Sequence, residues 1–158
     1  MSRFYAVSFD EVAITTQQDL FDIAPAANKL IVIHEIVLTQ SSEIQEAQEE
    51  WLHLRFVRGF ATVGSGGTSA TAVPLSLADP ASGATCRVND TTKAVVGAGV
   101  TEVLRSDAFM VRSGYYYLPT PETRIVLSAA STRLVVQLNT TPADSITMSG
   151  TMVIEELG

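Results

Sequence analysis

Between residues 146 and 155 the apolar side chains fall on every second position. Ile146, Met148, Met152 and Ile154 share one parity with Gly150 between them. Thr147, Ser149, Thr151 and Glu155 share the other, interrupted only by Val153. Successive side chains of a strand point to opposite faces, whereas a helix repeats at 3.6, so this stretch reads as one long half-buried strand. The same period recurs along the chain and the helical one is almost absent, which points to an all-β fold. Leu134, Val136 and Leu138 are expected to point inward from a strand over 133–138, with Arg133 and Gln137 outward. Leu52, Leu54 and Phe56 do the same over 51–57, with His53 and Arg55 outward. Residues 4–14, 19–23, 101–111 and 124–127 read as further strands, and Tyr115 to Tyr117 open another extended piece after the Ser113-Gly114 turn. Residues 29–39 are apolar on both parities, the pattern of a strand covered on both faces. The turn-rich link 139–145 predicts that the last two long strands are antiparallel neighbours.

Three stretches break the period. In 41–50, Ser42 with Gln45 has capping-box spacing, so the segment reads either as one or two helical turns or as an acidic solvated loop. The Gly-rich stretch 95–100 reads as a turn. Residues 64–83 carry four glycines, two prolines and no periodic core face. A loop of this length usually has a task, and exposing Val73, Leu75 and Leu77 forgoes roughly 1.5–3 kcal/mol for each large side chain. The segment is read as an arm that docks on a neighbouring subunit, so that deleting 68–80 would spare the fold; the alternative is a long internal crossover packed on its own domain. About eight strands with long crossovers suit an antiparallel two-sheet sandwich, jelly-roll-like, as one domain over 1–158. An immunoglobulin-like sandwich lacks its Cys…Trp…Cys framework here.

Composition narrows the function. Seventeen acidic residues against ten basic ones give a net charge of −7, the wrong sign for a nucleic-acid partner. Lys29 and Lys93 are the only lysines, which excludes a polybasic membrane patch. The longest aliphatic run, 30–33, is far too short for a bilayer span, and the start turns acidic by Asp10 without an apolar stretch of signal-peptide length. Fourteen serines and seventeen threonines make much of the polar surface hydroxyl rather than charge, as suits an interface depleted in charge. A single cysteine, Cys86, excludes an intrachain disulfide and fits synthesis in a reducing cytoplasm.

Constellations for catalysis are scarce, and no enzyme activity, cofactor or metal is expected. His34 shares its parity with apolar neighbours and reads as a hydrogen-bonded core residue; Glu35 should point the opposite way and form no dyad with it. His53 reads as a surface residue. With one cysteine and two histidines on separate strands, a closed zinc site is not expected. Arg87 beside Cys86 could lower a thiolate pKa, though a buried structural cysteine is the commoner case. No Gly-x-Ser-x-Gly elbow occurs, and Gly64-Ser-Gly-Gly67 lacks the lysine and helix of a phosphate loop. Asn89, Asp90 and Asp79 offer calcium-type ligands without the spaced run such a site needs. Asn89-Asp-Thr matches a glycosylation tripeptide, and with no secretory signal expected the match reads as accidental. Glu35, Glu102 and Asp107 are isolated, so no carboxylate pair of a carbohydrate-active enzyme stands out. Tyr115, Tyr116 and Tyr117, with Trp51, form an aromatic set suited to protein contact or to sugar.

Five stretches carry a resemblance. Arg3-Phe-Tyr-Ala-Val-Ser-Phe9, Val32-Ile-His-Glu-Ile36, Gly66-Gly-Thr-Ser69, Tyr117-Leu-Pro-Thr-Pro-Glu122 and Asp144-Ser-Ile-Thr-Met-Ser-Gly-Thr-Met-Val-Ile-Glu-Glu156 are similar to small all-β virion proteins of tailed phages and prophages. The resemblance implies a head decoration, or cement, protein that sits on the exterior of a phage head. Such a protein oligomerises, as a trimer, and braces junctions of the major capsid protein. Val73, Leu75, Leu77, Tyr115, Tyr116 and Tyr117 are the candidate interface residues. The alternative is a tail-tip or fibre-head domain that binds a receptor or carbohydrate.

Overall fold

A computed structural model describes residues 1–42, 49–96, 99–129 and 132–158. Residues 43–48 of the capping-box segment and 97–98 of the 95–100 turn lie outside them. The fold is an antiparallel two-sheet sandwich. Sheet I contains β1 (Ser2–Ile14), β3 (Leu30–Gln40), β6 (Val73–Pro74), β9 (Tyr115–Tyr117), β10 (Val126–Leu127) and β12 (Ile146–Leu157). Its order is β10-β3-β12-β1-β6, with β9 beside β10 on the same flank of β3. Sheet II contains β2 (Gln18–Ala24), β4 (Trp51–Arg58), β5 (Thr68–Ala70), β7 (Thr85–Asp90), β8 (Glu102–Met110) and β11 (Leu134–Leu138), in the order β5-β7-β2-β11-β4-β8. Twelve strands stand among the described residues, against the expected eight or so; β5, β6 and β7 are the ones the sequence reading does not mark. No helix among the described residues is long and apolar enough to cross a membrane.

The first four strands alternate between the sheets, and so do β11 and β12. The hairpin expected across 139–145 is therefore absent: β11 pairs with β2 and β4, while β12 pairs with β1 and β3. Turn residues in that link reverse the chain but leave its partner open, and each strand finds a better apolar face in a different sheet.

Two bulges account for the irregular parities. In β1, Tyr5, Val7 and Phe9 face the core; the register slips at Asp10 and Glu11, where Glu11 has φ 46°, and Ile14 then faces inward. In β3, Ile31 and Ile33 face inward, the pairing with β12 slips, and Ile36 and Leu38 face inward after it. Residues 29–39 are thus not a strand covered on both faces; one face is buried, and an extra residue swaps the parity halfway.

In β11 all five residues are buried, which corrects the outward, exposed reading of Gln137. Its outer side is roofed by the stretches after β4 and β7, joined by the bridges Thr62 to Val95 and Ser65 to Thr92. Under that roof Val57, Phe60, Ala94 and Val135 make a second small core. Asp19 accepts from the Ala94 amide at 2.6 Å and from Gln137 Nε2 at 3.0 Å, while Asp90 accepts from the Gly67 amide at 3.0 Å. Arg133 reaches Asp22 at 3.2 Å. Burial pushes Asp22 up to about 7, with Arg133 opposing, and raises Asp19 as well.

The 64–83 segment is the crossover between the sheets, not an arm leaving the sandwich. It pairs as β5 with β7, then as β6 with β1, and Ala72 between them is buried. Tyr5 Oη donates to the Pro80 carbonyl at 3.1 Å, and Gly83 N–H and Ser82 Oγ both bond Glu156 at 2.9 Å. Its prolines serve this tethering, since an extended backbone with a fixed φ needs little ordering to lie along an edge. Deleting 68–80 would remove a piece of each sheet.

The outer face of sheet I as candidate interaction site

Inward residues of β1, β3 and β12 bury against sheet II, so their alternate residues must face away from the core. Register aligns these outward residues into rows across the strands. One row runs Leu75, Phe4, Glu155, Val32, Val126: Leu75 N–H donates to the Phe4 carbonyl at 2.9 Å, and the remaining members are paired neighbours. A second runs Val73, Ala6, Val153, Glu35, and a third Ser8, Thr151, Val37, Tyr116. Phe4, Val73, Leu75, Val126 and Tyr116 are all exposed on this face.

Two carboxylates sit within these rows, Glu35 and Glu155, and Glu155 is hydrogen-bonded in place. Glu155 Oε2 lies 2.7 Å from His34 Nε2, and the Ser2 hydroxyl also donates to Glu155. Those two hydrogen bonds hold the carboxyl below the usual carboxylate range, against partial desolvation. The Phe4 ring meets the His34 ring edge-on at 5.1 Å. His34 is therefore hydrogen-bonded as expected, but on the outward side of the sheet rather than in the core. The bulge beside it places both His34 and Glu35 outward, so the opposite-face argument fails locally. The partner of His34 is Glu155, which lies 121 residues away and carries no local signal.

At the lower rim of the sandwich, Glu156 turns inward. Burial opposes its ionisation, but Lys29 at 2.6 Å, Ser82 and the Gly83 amide outweigh that and hold its pKa low.

The six candidate interface residues divide. Val73 and Leu75 are exposed at 56% and 60%, and they flank one side of the band. Leu77 is fully exposed in the turn closed by the Asp79 amide on the Ser76 carbonyl. Tyr116, 61% exposed, flanks the opposite side. Tyr115 and Tyr117 are corrected: alternation turns both into the core, at 8% and 5% exposure, where they meet Phe56 edge-on. Tyr115 Oη donates to Asp107 at 2.5 Å, and the Arg105 guanidinium lies over the Tyr117 ring. Trp51 is exposed on the outer side of sheet II, so it does not join Tyr116 in one aromatic patch.

Cys86 is buried on the core side, and burial pushes its thiol up to about 12 despite Arg87, which turns away to Asp90 at 2.6 Å. His53 Nε2 bonds Ser106 Oγ at 2.8 Å at the surface. Asp90 is occupied by Arg87 and Gly67, Asn89 accepts from Gln18 at 3.1 Å, and Asp79 lies 3.8 Å from Arg3, so the calcium-type ligands have separate partners. No group of three or more His, Cys, Asp or Glu is gathered for a metal among the described residues.

No protein-family profile matches the sequence, and neither does any curated protein. Among solved structures the chain is similar to a mutant VP2 protein of infectious bursal disease virus in T=1 particles, at 13% identity and a TM-score of 0.22. The likeness covers 99% of this chain and 40% of that one, so the chain spans well under half of its length. A likeness that slight assigns neither fold nor function.

Proposed function

We propose that this chain is a structural virion protein of the decoration type, which binds the exterior of a phage head and braces junctions of the major capsid protein. The observation that carries the reading is the apolar band on the outer face of sheet I, with Val73, Leu75 and Phe4 at one flank and Tyr116 at the other. Exposed contiguous apolar surface on a folded domain marks an interaction site. Four of the five stretches that resemble phage virion proteins lie wholly or partly in this one sheet, on β1, β3, β9 and β12. The mechanism is mechanical: each copy removes apolar surface from water across a seam, and many copies on one shell multiply a modest affinity. Of the three consecutive tyrosines, only Tyr116 stands at the surface.

The test adds purified protein to heads of its phage prepared without it. Wild type should co-sediment with the heads and raise their resistance to heat or chelator. The double variant Val73→Asp/Leu75→Asp, exposed at both positions, should fold normally and fail to bind. Binding unaffected by that variant, or absence of wild-type binding, would overturn the reading.

A further inference from the structure

We infer that the free edge of β8 is a second interaction surface, and that its occupant is another copy of this chain, paired strand to strand about a twofold axis at Ser106. Four edge pieces of the two sheets are short: β5 and β9 have three residues, β6 and β10 have two. β8 has nine, pairs among the described residues only with β4, with a register slip at Leu104, and ends sheet II. Its residues from Glu102 to Ser106 are all exposed, Val103 and Leu104 among them. A long edge presents a row of unpaired backbone donors and acceptors, and natural edges of this length are usually blunted with charge.

The charges on this edge select a partner instead of repelling one. Antiparallel self-pairing centred on Ser106 sets Arg105 opposite Asp107 of the second copy, and Asp107 opposite its Arg105. Shifting the centre to Arg105 or to Asp107 would set like charges directly opposite each other, which is destabilising. Within one chain Arg105 already contacts Asp107 and Tyr115 on the rim of the sandwich, so the dimer would hold an alternating square of two arginines and two aspartates. Such pairing makes one continuous sheet from two copies of sheet II, and it leaves the outer face of sheet I free. The inference is therefore independent of the capsid reading.

Ser106 is exposed, so it can be altered without touching the core. Wild type should sediment as a dimer at micromolar concentration. Ser106→Asp, which brings two carboxylates together at the axis, should weaken the dimer by up to about fivefold, with an unchanged circular dichroism spectrum. Ser106→Cys should form a disulfide-linked dimer on mild oxidation, since directly opposed residues lie within disulfide reach. A wild-type monomer or trimer overturns the inference. So does a dimer that neither responds to Ser106→Asp nor cross-links through Ser106→Cys.

Discussion

His34 and Glu155 face each other at 2.7 Å on the outward side of sheet I, joining β3 to β12 across a register slip. Because Ser2 and His34 favour the ionised carboxylate, the folded pKa of Glu155 is depressed. The sign follows: this pair contributes stability above the ordinary carboxylate range and loses it as pH falls through the folded pKa. Glu155→Gln should therefore flatten the acid limb of a thermal midpoint-versus-pH curve. An unchanged acid limb in the variant would disprove the assignment.

Asp22 should produce the opposite slope near neutrality. Its folded pKa of about 7 lies above the unfolded value of 3.8, so its contribution is fully present below the unfolded value and is lost as pH rises through about 7. Wild type should melt at lower temperature at about pH 8 than at about pH 5, and Asp22→Asn should reduce that difference. Differential scanning calorimetry across the range decides it.

Gly150 should not tolerate a side chain. A Cβ built there would lie 2.5 Å from Cε1 and 2.7 Å from Cζ of Phe9, and 2.9 Å from Cδ2 of Leu38. Gly150→Ala forces the Phe9 ring aside and should cost about 1–3 kcal/mol by urea denaturation.

Phe56→Ala should cost about 3–5 kcal/mol, because Phe56 is fully buried and packs edge-on against Tyr115 and Tyr117, joining the two sheets. Loss comparable to that of an exposed residue, such as Tyr116→Ala, would contradict the packing.

Cys86 should be unreactive in the native state. Burial both hides the sulfur and disfavours its thiolate, so a thiol reagent such as dithionitrobenzoate should label it only after unfolding. Native labelling at the rate of a free thiol would contradict this.

What was local was legible. Strict alternation over β12 and β4 named both the element and the face it buries, because side-chain direction in a strand depends on parity alone. The same alternation, applied to three consecutive tyrosines, requires that at least one face away from the core, and Tyr116 does. Composition, through the sign of the charge, set an expectation against a nucleic-acid partner. It left open which parts of the 64–83 segment would be exposed; Val73 and Leu75 lie on the outer face of sheet I, beside Ala6 and Phe4.

What needed two distant pieces of chain was decided only by tertiary structure. The bulges in β1 and β3 are set by how each strand registers against β12, and a one-residue slip reverses every side chain beyond it. Hence His34 left the core and found a carboxylate 121 residues away. The choice of sheet for β11 and β12, the tethering of the crossover to both edges, and the roof that buries Asp19, Asp22 and Asp90 belong to the same class. Each depends on which apolar faces meet after loop closure, a long-range balance of burial against chain entropy that no short window of sequence records.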